Sequence, residues 1–359
     1  MWTYNDERAA VRDALRLSRA MTFKSAVAGL PLGGGKGVIA LPAGTSPPTG
    51  EDRRNVLLDF GETVQTLDGA YITAEDVGTS EPDIETISEV TSHVSGLAVS
   101  NGGSGDPSPW TAVGVEAAIR VACERVFGTD SLEGRRVAVV GVGHVGGPLA
   151  ESLAAGGATL VLADIVDERR ELADRLGAQW TDPRSALTAD VDVVAPCALG
   201  GVLDDEIVPQ LRCRVIGGAA NNQLAAESVG ELLADRGILW VPDFVTNAGG
   251  VVNIAVELEP EGYDTARAEV RVRAIGDTVR TVLDHADATG STRSRQRWRS
   301  PAGAWKRPRR PTPRPLRRGL PRAASRGARA ARPLRTAVAA RARRPTPRRA
   351  ARGRSGCAP

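Results

Sequence analysis

Between residues 130 and 245, short runs that are apolar at nearly every position alternate with stretches of helical spacing. The runs lie at 137–140, 159–163, 191–195, 214–216 and 239–242. They lack the in–out alternation of a half-exposed strand and have the pattern of parallel strands buried on both faces. This predicts a doubly wound α/β sheet. Upstream, Asn5 or Asp6 caps a helix running to about Met21, with Val11, Ala14, Leu15 and Ser18 on one face. Residues 25–42 read as strand, Gly-rich turn, strand, and 43–50 as a loop. A helix over 52–67 and a short strand at 71–74 follow. Gly, Ser, Asp and Pro dominate 102–109, a linker composition. A helix over 112–126 then enters the second domain, and helical patterning resumes over 253–286. The predicted organisation is a first domain at 1–110, the sheet domain at 111–257 and C-terminal helices at 258–292.

Charge sharpens the last boundary. Residues 293–359 hold 22 Arg, one Lys and no Asp or Glu, whereas residues 1–292 hold 23 basic and 43 acidic residues. An Arg/Pro/Ala segment without apolar periodicity cannot build a core, so a disordered basic tail is expected there. The one-step change favours translation in a shifted frame of a GC-rich gene. A nucleic-acid-binding arm and a solvated linker are the alternatives. No run approaches a membrane span, and the polar start Thr3-Tyr4-Asn5-Asp6 fits no secretory signal. Cys123, Cys197, Cys213 and Cys357 form no CxxC pair, which suits free thiols in a reducing cytoplasm. No metal site is predicted.

The strand at 137–140 runs into Gly141-Val142-Gly143-His144-Val145-Gly146, with a helical pattern behind it. Strand, Gly turn and helix together form the context a dinucleotide fingerprint requires. Gly141 permits the tight turn, Gly143 lets the backbone approach a pyrophosphate, and Gly146 lets helix and strand pack closely. Asp164 follows the next strand, 18 residues after Gly146. A carboxylate there accepts from ribose hydroxyls and repels a 2′-phosphate, which favours NAD over NADP. His144 occupies a variable position and is assigned no chemistry.

Residues 1–292 contain 21 Arg but only two Lys, Lys24 and Lys36, twelve positions apart around Gly33-Gly34-Gly35. Lysine can lose its proton when desolvated or set beside another cation, and arginine effectively cannot. One ammonium holding a substrate carboxylate and a second lysine acting as base would use that difference. Asp76, after the strand at 71–74, is the expected carboxylate partner.

These residues resemble the signatures of the Glu/Leu/Phe/Val amino-acid dehydrogenases. Met21-Thr22-Phe23-Lys24 with Gly29-Leu30-Pro31-Leu32-Gly33-Gly34-Gly35-Lys36 carries the resemblance, as does Tyr71-Ile72-Thr73-Ala74-Glu75-Asp76-Val77-Gly78-Thr79. Ala195-Pro196-Cys197-Ala198-Leu199-Gly200, Gly218-Ala219-Ala220-Asn221-Asn222-Gln223 and Pro242-Asp243-Phe244-Val245-Thr246-Asn247-Ala248-Gly249-Gly250 complete it. The leucine/valine branch is the best match, over about residues 1–290. Relative to the family pattern, the chain is short at its start and its last helices give way to the basic tail.

The resemblance implies an N-terminal substrate domain, a Rossmann NAD-binding domain and oxidative deamination of an aliphatic L-amino acid. Lys24 would bind the substrate carboxylate. Lys36 would activate water, and Asp76 would move protons at the amino group. Thr111, Ala195, Asn221, Asn222 and Asn247 would serve the dinucleotide or the substrate beside it. Ala74, Val251 and Ile254 would form an apolar wall for the side chain. Ile254 stands where a glutamate enzyme usually has Ser, so a distal carboxylate would be left unpaired. A homo-oligomer is implied, without membrane or nucleic-acid partners. An inactive NAD-binding remnant and nucleic-acid binding through the tail are the competing readings.

Overall fold

The computed structural model describes residues 1–289 and a two-residue strand, Ala337–Val338, which pairs with Gly37–Val38. The rest of the segment expected to be disordered, 293–359, lies outside the described residues. The architecture is a two-domain α/β fold.

The N-terminal part begins with β1 (Trp2–Tyr4) and α1 (Glu7–Val27), followed by β2 (Gly37–Val38) and β3 (Ala40–Pro42). β1 pairs parallel with β3. Asp6 caps α1 by accepting from the Ala9 N–H at 2.7 Å. The helix runs six residues past the expected stop at Met21, because nothing in 22–27 breaks it before Gly29, whose φ is +64°. Residues 25–27 therefore extend α1 instead of opening the expected strand, and Lys24 sits in the last turn of the helix. The buried face is also turned from the expected one. Ala10, Ala14 and Ser18 are buried, whereas Val11 and Leu15 are exposed, since small residues let the following Gly-rich turn pack close.

α2 (Gly50–Gln65) and α3 (Glu81–Ser88) complete this part, with Leu57, Phe60, Ile84, Ile87 and Val94 as its core. α3 is not predicted from the apolar pattern. The expected strand at 71–74 forms only a single bridge, Thr73 with Val94, so it is an extended loop tied at one point.

α4 (Ser108–Phe127) leads into the sheet domain. Its parallel strands are β4 (Arg136–Val140), β5 (Thr159–Ala163), β6 (Gln179–Thr181), β7 (Val193–Pro196), β8 (Val215–Ile216) and β9 (Leu239–Trp240). Their order across the sheet is β6-β5-β4-β7-β8-β9. The chain starts in the middle, moves to one edge and then crosses to the other, leaving a crevice at the carboxyl ends of β4 and β7. Val137 and Val139 face one core, and Ala138 and Val140 the other. Helices α5 (Gly146–Ala155), α6 (Arg170–Leu176), α7 (Pro183–Leu187) and α8 (Val229–Asp235) lie between the strands. After β9 come α9 (Asp243–Thr246), α10 (Gly249–Glu257), α11 (Thr265–Arg273) and α12 (Ile275–Thr289), of which α10 to α12 pack back on α4.

Candidate active site and dinucleotide cleft

The turn after α1 is held against that helix by its own hydroxyls. Ser18 Oγ donates to the Gly34 carbonyl at 2.6 Å and Ser25 Oγ to that of Gly33 at 3.2 Å. A methyl group on Gly34 would collide with Thr22 and the Ser18 backbone, so only glycine fits. Tyr71 closes the other side. Its ring carbon Cδ2 lies 2.6 Å from where a Gly35 methyl would be, and its hydroxyl accepts from the Gly37 N–H at 2.9 Å. Lys36 is therefore fixed by the residues on both sides of it.

The Lys36 ammonium pairs with the Asp76 carboxylate. Asp76 is itself ordered by its turn. Its Oδ1 accepts from the Val77 N–H at 2.7 Å, and Thr79 Oγ1 donates to its carbonyl at 2.7 Å. Burial first, and the Lys24 cation after it, bring the Lys36 pKa down to about 8 against the opposing Asp13 carboxylate. The Asp76 carboxylate in contact also favours the ammonium. Residue types that sequence analysis linked only by scarcity and spacing thus meet in one place: Lys24, Lys36 and Asp76. Lys36 is 19% exposed and Asp76 50% exposed, so the pair has a closed end and an open end.

The lysine helix abuts the end of the sheet domain. α1 packs on α9, and Phe23 meets Phe244 with ring centroids 6.2 Å apart. Asn247, just after α9, is buried. Its amide donates to Asn221 Oδ1 at 2.8 Å and to the Ala219 carbonyl at 3.0 Å. Its own Oδ1 takes no hydrogen bond among the described residues. Asn222 has a φ of +53°, and its carbonyl accepts from the Gly201 N–H at 2.7 Å. Thr111 Oγ1, in the first turn of α4, accepts from the Gly250 N–H at 3.2 Å. Ala195 is buried within β7.

Gly141 follows β4 with a φ of +97°, and a methyl there would press on Ala198 at 2.6 Å. A methyl on Gly146 would collide with the Gly141 carbonyl. At Gly143 a methyl would meet only the flexible end of Arg169, with Nη1 at 3.2 Å. That bare backbone, the orphaned oxygen of buried Asn247 and the Asp164 carboxylate at the end of β5 fit the demands of a nicotinamide dinucleotide. Asp164 is nevertheless engaged from within the protein. It accepts from the Val142 N–H at 2.8 Å, the Val166 N–H at 3.1 Å and Arg169 Nη1 at 2.6 Å. Burial pushes its carboxyl pKa up, but Arg169 and the two backbone donors outweigh burial and hold it below its ordinary value.

Ala74, Val251 and Ile254 are half-buried and belong to none of the closed cores, so each keeps surface for a ligand. Val251 and Ile254 are about one turn apart on α10. Sequence reasoning singles out neither Tyr71 nor Arg169. Tyr71 is one of only three tyrosines, a weak signal, whereas Arg169 is one of five consecutive charged residues and carries none. Among the described residues no His/Cys/Asp/Glu cluster suits a metal ion, and no helix is long and apolar enough to cross a membrane.

Two family models match this chain. The Glu/Leu/Phe/Val dehydrogenase dimerisation domain matches residues 1–93, and the Glutamate/Leucine/Phenylalanine/Valine dehydrogenase model matches 161–290. Leucine dehydrogenase of Bacillus cereus is 44% identical over 291 residues, covering 81% of this chain and 78% of that protein. Valine dehydrogenase of Streptomyces virginiae is 42% identical over 293 residues, 80% of each. The crystal structure of L-tryptophan dehydrogenase from Nostoc punctiforme superimposes with a TM-score of 0.66 at 37% identity, covering 81% of each chain.

Proposed function

The chain belongs to the Glu/Leu/Phe/Val dehydrogenase family, and from that premise we propose that it catalyses reversible, NAD-dependent oxidative deamination of leucine or valine. The products are the 2-oxo acid and ammonia. The observation that carries the reading is the largely buried Lys36, paired with Asp76 and with its pKa depressed by burial and by Lys24, where α1 meets the Asn247 segment.

Lys24 binds the substrate α-carboxylate by charge. A nicotinamide ring held beside Thr111 and Asn247 would supply hydride acceptance, converting the substrate amine to an imine. Lys36 in its neutral form takes a proton from the water that attacks the imino carbon. Its ammonium form then stabilises the developing alkoxide in a site screened from solvent. Asp76 takes and returns the protons of the departing amino group. Thr111, Ala195, Asn221, Asn222 and Asn247 line the nicotinamide end, and Gly141, Gly143, Gly146 and Asp164 the adenosine end.

Ala74, Val251 and Ile254 favour an aliphatic side chain, because they offer no partner to a distal carboxylate. Asp164 supports NAD as coenzyme by accepting from the ribose hydroxyls. The division into a substrate domain at 1–110, a dinucleotide domain at 111–257 and returning helices at 258–292 follows the same reading. The match to a dimerisation domain over residues 1–93 supports assembly as a homo-oligomer. The test is product stoichiometry: leucine with NAD should yield NADH, ammonia and the 2-oxo acid in equal amounts. Dinucleotide binding without any amino-acid-dependent NADH would reject the reading.

A further inference from the structure

Arg169 lies across two features that a dinucleotide needs. It precedes α6, yet its guanidinium returns over the Gly turn. Nη1 donates to Asp164 Oδ2 at 2.6 Å. Seen from Gly143, Nη1 would be 3.2 Å from a methyl, and Cζ and Nη2 3.6 Å. The fork thus spans the carboxylate meant for ribose hydroxyls and the bare backbone meant for the pyrophosphate. The Asp164 side chain is 4% exposed and that of Arg169 39%. Access to the carboxylate is therefore through the arginine. The other side chains of this turn, Ile165, Val166, Asp167, Glu168 and Arg170, are exposed.

A bare carboxylate at the ribose excludes a 2′-phosphate by repulsion. Here that charge is balanced by a guanidinium in contact with it. The guanidinium is the group whose planar fork matches phosphate in bidentate geometry. Its outer end reaches solvent on a long flexible stem, so it can turn from Asp164 to a phosphate beside it.

We propose that Arg169 sets coenzyme selection in this chain: it leaves Asp164 on binding and takes the 2′-phosphate of NADP, so that both NAD and NADP are bound. This rests on the Gly141–Asp164 region being a dinucleotide site. It changes how that site chooses, because the Asp164–Arg169 pair, and not the aspartate alone, fixes the preference.

The test uses the full chain and the dissociation constants of NADH and NADPH, read by nicotinamide fluorescence at low salt. Arg169→Ala should weaken NADPH by about tenfold and change NADH little. Arg169→Lys keeps the charge without the fork and should fall between. Asp164→Asn should move the ratio the other way, releasing the guanidinium and removing the repulsion. Displacement by 2′,5′-ADP against ADP should follow the same order, since the discrimination lies at the adenosine end. A change in the NADPH/NADH ratio below about fivefold in Arg169→Ala, with both coenzymes bound, overturns the assignment. So does a parent chain that binds NADH and rejects NADPH outright. If the parent binds neither, the dinucleotide reading itself falls, and the inference with it.

Discussion

Lys36 and Asp76 form an ion pair between two turns that lie 40 residues apart in sequence. Each turn is shaped by hydrogen bonds of its own: Ser18, Ser25 and Tyr71 hold the lysine's turn, and Thr79 and the Val77 N–H hold the aspartate's. The pair is therefore met by two preorganised loops. That arrangement favours a proton-transferring role over a stabilising one, because half-exposed ion pairs contribute little to stability.

Lys36→Arg keeps the charge but cannot act as a base near neutral pH. Turnover should be abolished while NADH binding stays close to that of the parent. Activity within about tenfold of the parent would remove Lys36 from the base role.

The depressed pKa fixes a pH dependence. Burial and the Lys24 cation hold Lys36 near 8, below an ordinary lysine. In the proposed mechanism the neutral form is the base, so kcat/KM for oxidative deamination should rise with pH through about 8 and level off above it. Lys24→Ala removes one lowering cause and should shift that limb upward. A pH profile that is flat across this range contradicts the assignment.

Ile254→Ser tests the side-chain pocket. Lost apolar contact and a newly buried hydroxyl should reduce kcat/KM for leucine and valine by about 1–3 kcal/mol. It should not create a glutamate enzyme, since no cation is supplied for the distal carboxylate. An unchanged leucine/glutamate ratio would place Ile254 outside the pocket.

Arg53 grips Asp83 through two bonds, Nε to Oδ1 at 2.8 Å and Nη2 to Oδ2 at 2.6 Å, and Asp83 also closes the Ser80 cap of α3. Burial raises the Asp83 pKa, but Arg53 and Ser80 outweigh it and leave the carboxyl below its usual value. The stability it contributes is present above the unfolded-state pKa and is lost as pH falls through the folded one. Asp83→Asn should cost about 1.5–3 kcal/mol in urea unfolding at neutral pH, and the loss should shrink in acid. An equal loss at both pH values would mean the charge is irrelevant.

The central strands were legible because residues such as Val137 to Val140 are apolar on both faces, a pattern that few other structures produce. β6 was not, since an edge strand made of Gln179, Trp180 and Thr181 has no such pattern. α3 carried a readable signal in Ser80-Glu81-Pro82-Asp83, a capping box that hydrophobic spacing alone does not reveal. The lysine pair was legible through the scarcity of lysine in an arginine-using chain. The return of Arg169 over Gly143 was not, because it depends on how the turn before α6 folds back on the first crossover, which local spacing does not encode.

The central claim is tested most directly by kcat/KM for L-leucine, L-valine and L-glutamate on the full chain, with NAD as acceptor and NADH formation as readout. The account predicts turnover of leucine and valine, with glutamate lower by at least about a hundredfold, as an unpaired buried carboxylate requires. Glutamate turned over as well as leucine would contradict it.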